Sequence, residues 1–463
     1  MRAPCRTGRA LILLALPALA LATITFENRW HWYIADTGRS AAQLPDGGYV
    51  TSGGTHVASG SFGVVLVRTD SLGDTLSVRH IFGLDADGGL SCRVADSGYA
   101  VLAESAGRIF VRGFGPADDS LWNYQSTWGG PVSTIIPTSD GGCLVAGRIP
   151  DTAFDMGAIK LAADGQEEWA RWYDEPRMYD SWAHGAAQTR DGGFVLCGIA
   201  NDYVANYMRL ARLRPNGDSA WTRTYHGPVA PMLKAVTETQ DSGFLAAGSE
   251  IDTLQSLDAL YLLRTDSVGA LLWTRQIAVP GAATRATAMQ PTSDSGYIIA
   301  GTIDWGDSAR AWLVKLDSNA DTVWTSVLPG TGMEQAASVR QTADGGYVVA
   351  GTSDSAGGSV LLVKTDSLGF ILMTGLTGHS FNVHRSSFTV SPNPCHSSTT
   401  ISYSSSLLSP PSSLSLYDVT GKLVLSELRV TSCELRVTGL AAGVYLVKLD
   451  YAGGSATRKL VVE

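Results

Sequence analysis

The residues best suited to chemistry are Asp174, Glu175, Tyr179, Asp180 and Trp182. Three carboxylates lie there beside two aromatic rings. Glycoside hydrolysis needs two carboxyl groups roughly 5–10 Å apart. An aromatic face beside them suits sugar stacking. Further acids outside the repeated turns are Glu104, Asp155, Glu250 and Glu334. Sequence does not pair any two of these, and a solvated loop has the same composition. The five residues are therefore loop candidates for a binding site, and any catalytic residues stay unassigned.

Other chemistries lack their patterns. There is no Gly-x-Ser-x-Gly elbow, no His-Glu-x-x-His pair and no phosphate loop. His184 and His226 read as turn or surface residues. Asp317-Ser318-Asn319-Ala320-Asp321 begins like a calcium loop but lacks the sixth-place glycine and the distal glutamate. It reads as an inter-strand turn. No C-x-x-C pair exists for a zinc ribbon. No metal and no cofactor are predicted.

A second set of acids recurs: Asp46, Asp96, Asp140, Asp191, Asp241, Asp294 and Asp344, spaced by 50, 44, 51, 50, 53 and 50 residues. Each precedes Gly-Gly or Ser-Gly and then Tyr, Phe or Cys. Such dipeptides supply the positive φ of tight hairpin turns. Their repetition marks these aspartates as hairpin fixtures and poor catalytic candidates. An apolar strand follows each turn, as in Tyr347-Val348-Val349-Ala350-Gly351, where the glycine reads as a strand stop. A third apolar run follows, such as Leu361-Leu362-Val363-Lys364, then a second turn such as Thr365-Asp366-Ser367-Leu368-Gly369. A fourth strand carries tryptophan in phase at Trp122, Trp169, Trp221, Trp273 and Trp324, with Ser77 and Met373 in that slot in the outer repeats.

Four antiparallel strands per period of about fifty residues form a propeller blade. The expected fold is all-β: a seven-bladed β-propeller over 23–375, with tryptophans filling the gaps between blades. Asn28 to Tyr33 reads as a fourth strand without a blade of its own. It is expected to dock on the last blade and close the ring. Phe370 to Met373 reads as the seventh repeat's own fourth strand.

Bulk composition agrees. The 463 residues include 51 glycines, 44% hydrophobics and only 17% charged residues, with a net charge of −9. That rules out a disordered chain. An acidic surface argues against nucleic acid, whose binders need basic patches. Arg2, Arg6 and Arg9 precede an apolar run from Ala10 to Ala22, which predicts a signal peptide over 1–22. The run is shorter than the ~20 residues that span a bilayer. Five cysteines follow it, Cys92, Cys143, Cys197, Cys395 and Cys433, an odd set with wide gaps and no disulfide framework. Cys395 with Cys433 is the one pair worth testing.

The turn Asp266-Ser267-Val268-Gly269-Ala270-Leu271-Leu272-Trp273 resembles the blade motif of quinoprotein-type propellers, with one residue fewer between Asp and Gly. It also resembles the Asp-box turn of sialidase-like propellers. Both resemblances concern blade packing and imply no cofactor or catalytic residue.

After a linker at 376–386 the pattern changes. Pro392-Asn393-Pro394, Tyr417-Asp418-x-x-Gly421 and Gly443-x-Tyr445 punctuate alternating strands over 387–463. A small immunoglobulin-like β-sandwich is expected. This segment resembles the type A C-terminal sorting domain of the type IX secretion system. The resemblance implies Sec export, engagement of the outer-membrane type IX machinery, and then removal of the domain. The mature protein would be secreted or held at the cell surface of a Gram-negative bacterium.

The expected function is an exported, non-catalytic propeller, monomeric, that binds or scaffolds an extracellular glycan or protein. The alternative is a secreted polysaccharide-degrading glycoside hydrolase, endoglucanase-like, using loop carboxylates. A quinone-dependent dehydrogenase is disfavoured because no cofactor-ligand pattern is present.

Overall fold

The computed structural model describes residues 24–371, apart from short stretches at 34, 59–60, 82–85, 94–97, 106, 116–118, 128, 151–153, 174–179, 203, 228–230, 253–256, 331 and 355–356. It also describes strands between 389 and 462, leaving out 392–395, 397, 403–412, 419–422, 429–433 and 452–453. The signal segment 1–22, the linker 376–386, Asp96, Met373, Pro392, Asn393, Pro394, Gly421, Cys395 and Cys433 lie outside the described residues. The chain divides into two compact units, Met1–Met373 and Thr374–Glu463.

The first unit is a seven-bladed propeller of four-stranded antiparallel sheets. Six blades take their strands in chain order, beginning with Ala35–Gln43, Tyr49–Ala58, Ser61–Thr69 and Thr75–Ile81. The seventh is Glu334–Gln341, Tyr347–Ser353 and Ser359–Thr365, with Phe26–Trp30 from the far end of the chain as its fourth strand. Phe26 pairs with Lys364 and Trp30 with Val360, so the ring is closed by main-chain hydrogen bonds. The expected closure holds. The fourth strand of that blade is therefore not Phe370 to Met373, since Phe370 and Ile371 are no strand. Phe26 occupies the register that Trp324 holds opposite Lys315 in the sixth blade.

The core lies between blades, because each middle strand is apolar on both faces. In Tyr297–Asp304, Tyr297 and Ile299 pack toward the fifth blade, while Ile298 and Ala300 pack toward the seventh. A period of two sends successive side chains to opposite faces. The in-phase aromatics add an edge contact across four of the seven gaps. Trp169 meets Phe194, Trp221 meets Phe244 and Trp324 meets Tyr347 at ring centroid separations of 5.9, 5.6 and 5.9 Å. Phe26 meets Tyr49 in the same way at 5.4 Å. Trp122 lies beneath the turn glycine Gly165 of the next blade, and Trp273 packs against the cluster that includes Ala320 of the matching turn. That turn is the Asp317 to Asp321 segment, where Ala320 takes φ 63°.

The second unit contains two antiparallel sheets. One orders Thr389–Ser391, Ser398–Ser402 and Glu434–Thr438. The other orders Leu423–Leu428, Ser413–Asp418, Gly443–Tyr451 and Gly454–Val462. Ile401, Leu416, Val447 and Leu460 are fully buried. Asp418 pairs with Tyr445 across the second sheet, and the Tyr445 hydroxyl donates to the Ala441 carbonyl at 2.9 Å.

Candidate functional site: the axial cavity

The recurring strand glycine does not stop its strand; Tyr347–Ser353 runs through Gly351. Its role is steric. A Cβ on Gly53, Gly198, Gly248, Gly301 or Gly351 would lie 1.6, 1.8, 1.8, 2.0 or 2.1 Å from the carbonyl oxygen of Thr37, Trp182, Met232, Arg285 or Gln335. Those carbonyls belong to the innermost strand of the same blade. Two residues later each inner strand carries one extra residue, because the register skips a position there. Such a β-bulge re-aims the side chain of the inserted residue.

All seven inner strands have the bulge. The inserted residues are Arg39, Gly89, Ser133, His184, Lys234, Thr287 and Ala337. Six of them line one cavity on the propeller axis, of about 130 Å³. Arg340, three positions beyond the bulge of its strand, lines the same cavity and a mouth of about 710 Å³ at the Asp-Gly-Gly turns. The Gln290 side-chain oxygen accepts from Arg340 at 3.4 Å.

The charged groups of the cavity lining are Arg39, Lys234 and Arg340, and no carboxylate stands among the described lining residues. Burial pulls the Lys234 ammonium below the ordinary lysine value, with the Cys197 thiol opposing. Burial, and then the Lys234 charge, lower His184 to about 3, so its imidazole is neutral at pH 7. Cys197, fully buried behind this wall, is pushed up by its own burial.

The loop candidates divide. Asp174, Glu175 and Tyr179 lie outside the described residues. Asp180 and Trp182 begin the inner strand Asp180–Gln188, which leads to His184 in the cavity. Trp182 stacks on His184 with centroids 5.2 Å apart, and Arg148 pairs with Asp180 at 2.9 Å. Asp180 is therefore held by a cation outside the axis. Glu334 is buried between Arg29 and Arg310, at 3.3 Å from each, and Glu250 is buried and accepts from Gln276. Each of these acids has its own structural partner.

The described turn aspartates face away from the axis, into their own blades. Asp46, Asp140, Asp191, Asp241, Asp294 and Asp344 pair with Arg68, Lys160, Arg212, Arg264, Lys315 and Lys364 on the third strand. Each also accepts a turn N–H, as Asp344 does from Gly346 at 3.1 Å. Burial raises the Asp294 carboxyl, but the Thr292 hydroxyl, Lys315 and the Gly296 N–H outweigh it and bring the group to about 2.

The cavity residues carry no motif of their own. A signal for them does exist: six of the seven bulge residues stand fourteen positions before the strand-two glycine, as His184 does before Gly198 and Lys234 before Gly248, while in the second blade Ala103 takes the glycine's place after Gly89.

Residues 389–463 match the family model described as the secretion system C-terminal sorting domain. No curated protein matches the chain. Among solved structures, similarity extends to the virginiamycin B lyase of Staphylococcus aureus, at 12% identity and TM-score 0.46 over 74% of this chain and 99% of that one. It extends also to Sqt1 of Chaetomium thermophilum, at 10% identity and TM-score 0.47 over 72% and 98%. The β-propeller domain of the Pyrococcus furiosus Trilobed protease matches at 7% identity and TM-score 0.44 over 75% and 100%. The chain thus joins a seven-bladed β-propeller to a C-terminal sorting domain of the type IX secretion system.

Proposed function

We propose that this chain is an exported, non-catalytic binding propeller, with its ligand held at the axis. The sorting domain supports export through the type IX machinery. In this reading residues 1–22 direct the first, Sec step, and the mature propeller is released or held at the cell surface as a monomer. The observation that carries binding is the bulge ring, which turns six described side chains into one cavity. A glycoside hydrolase needs two facing carboxylates roughly 5–10 Å apart. The described lining offers none, and that favours binding of an extracellular glycan or protein over hydrolysis. A glycan-array screen run beside a reducing-sugar release assay tests the reading. Binding without sugar release is the expected result; release of reducing ends abolished by a loop carboxylate substitution would overturn it.

A further inference from the structure

Resting on that reading of the axis, we propose that the cavity takes the hydroxyl edge of a neutral sugar, held by polar groups of the third, fourth and fifth blades. The bulges of those blades place Ser133, His184 and Lys234 in the cavity lining. None of these three side chains hydrogen-bonds or ion-pairs with another described residue. Beside them the Trp182 indole N–H is buried and has no hydrogen-bond partner.

The indole lies on the His184 ring, with centroids 5.2 Å apart and planes 29° from parallel. Arg148, paired with Asp180, stands 6.0 Å from the same indole, so neighbours on the third and fourth blades hold it in place. A buried donor without an acceptor is costly, and one retained in a native fold calls for an acceptor from water or a ligand. The His184 imidazole, neutral at pH 7, presents one donor and one acceptor. The Ser133 hydroxyl also does both, whereas Trp182 and Lys234 only donate. An anion accepts only, and leaves the imidazole acceptor unmet. Hydroxyl groups accept and donate, and so answer all four side chains.

Size restricts the ligand. About 130 Å³ holds roughly four waters at ~30 Å³ each, room for the hydroxyls along one edge of a sugar ring. An adjoining cavity of about 180 Å³ shares Ile136, Val236 and Met289 with the first. Those apolar side chains suit the C–H face of the ring, whose burial supplies affinity without charge. A pyranose, polar at its edge and apolar on its face, matches a wall that carries both.

The test is calorimetric titration of the full chain with glucose, galactose, mannose and xylose, with citrate and inorganic phosphate as anion probes. Alongside it, the indole N–H resonance of Trp182 is followed by NMR, assigned by its loss in Trp182→Phe. At least one neutral sugar is expected to bind about tenfold more tightly than either anion and to shift that resonance. His184→Phe, which keeps a ring on the indole but removes both nitrogens, and Ser133→Ala should each weaken binding about tenfold. Arg108→Gln, at an exposed residue outside the cavity, should leave it unchanged. If His184→Phe does not fold, Trp182→Phe takes its place. Citrate or phosphate binding more tightly than every sugar, and weakened by the cavity variants, would overturn the neutral-sugar assignment and leave an axial site standing. Sugar affinity unmoved by those variants, with the Trp182 resonance unshifted, would overturn the subsite and leave a propeller that binds elsewhere. No binding of any probe would overturn the subsite alone where a glycan array still captures a ligand, and both readings where the array is empty.

Discussion

A single residue type, the glycine of the second strand, does more for the axis than any charged group. In six of the seven blades it makes room for the carbonyl that precedes the bulge. Gly248→Ala would set a methyl group 1.8 Å from the Met232 carbonyl, so strand and bulge must separate. The expected cost is about 3 kcal/mol by denaturant unfolding, with loss of the Lys234 position. The turn aspartates act on acid stability. Asp294 is held at about 2 against an ordinary value of 3.8. A lowered carboxylate pKa contributes stability that is fully present above the unfolded value and lost as pH falls through the folded one. Five further turn aspartates are shifted in the same direction. His184 is lowered from 6.5 to about 3, so its contribution begins to fall below pH 6.5. Melting temperatures should therefore decline modestly from pH 6.5 to 4 and steeply from 4 to 2. His184→Asn should flatten the first part only, and an unchanged slope there would overturn the assignment.

At the scale of the element, Phe26–Trp30 decides whether the ring is closed. Its Asn28 side chain donates to the Gly73 carbonyl at 2.6 Å, and the Trp30 indole donates to Thr75 at 3.0 Å, so it ties the seventh blade to the first. Deleting residues 24–30 would expose the edge Ser359–Thr365, all buried now. The deletion should lower the melting temperature and promote self-association, read by light scattering; an unchanged melting curve would rule out this closure. Trp221→Ala should cost about 3 kcal/mol by denaturant unfolding, toward the lower end for a large ring, because Trp221 is only half-buried. The same substitution at Trp273 should behave alike, since its partner turn holds Ala320 in a left-handed conformation.

For the whole molecule, the two units have separate tasks. Export belongs to the C-terminal unit, and the propeller carries variable side chains on a repeated frame. Pulse-chase of the exported protein should show a mature form lacking residues 389–463. Mature protein that still carries them would count against a sorting role. Seven copies of one sheet also explain why the ring itself is chemically neutral ground. What recurs, Asp344 with Lys364 or Trp324 with Tyr347, is consumed by packing, whereas the inserted residues differ from blade to blade.

The propeller was legible in the chain because its physics is local. Asp-Gly-Gly turns need positive φ, apolar runs need two covered faces, and both recur at the spacing of one blade. The sorting domain was legible for a similar reason, through turn and strand motifs close together in sequence. Closure was legible as an unmatched strand, but not its partner residue, since Phe26 reaches the tryptophan slot only through pairing with Lys364 across the whole chain. The axial cavity was not legible. The inserted residues share no residue type, their one mark is a fixed distance to the next strand's glycine whose meaning only the register shows, and Arg39, Lys234 and Arg340 are remote in sequence. Only the closing of seven sheets about one axis brings these residues to the lining of one cavity, so tertiary structure alone decided that the cavity exists and what lines it.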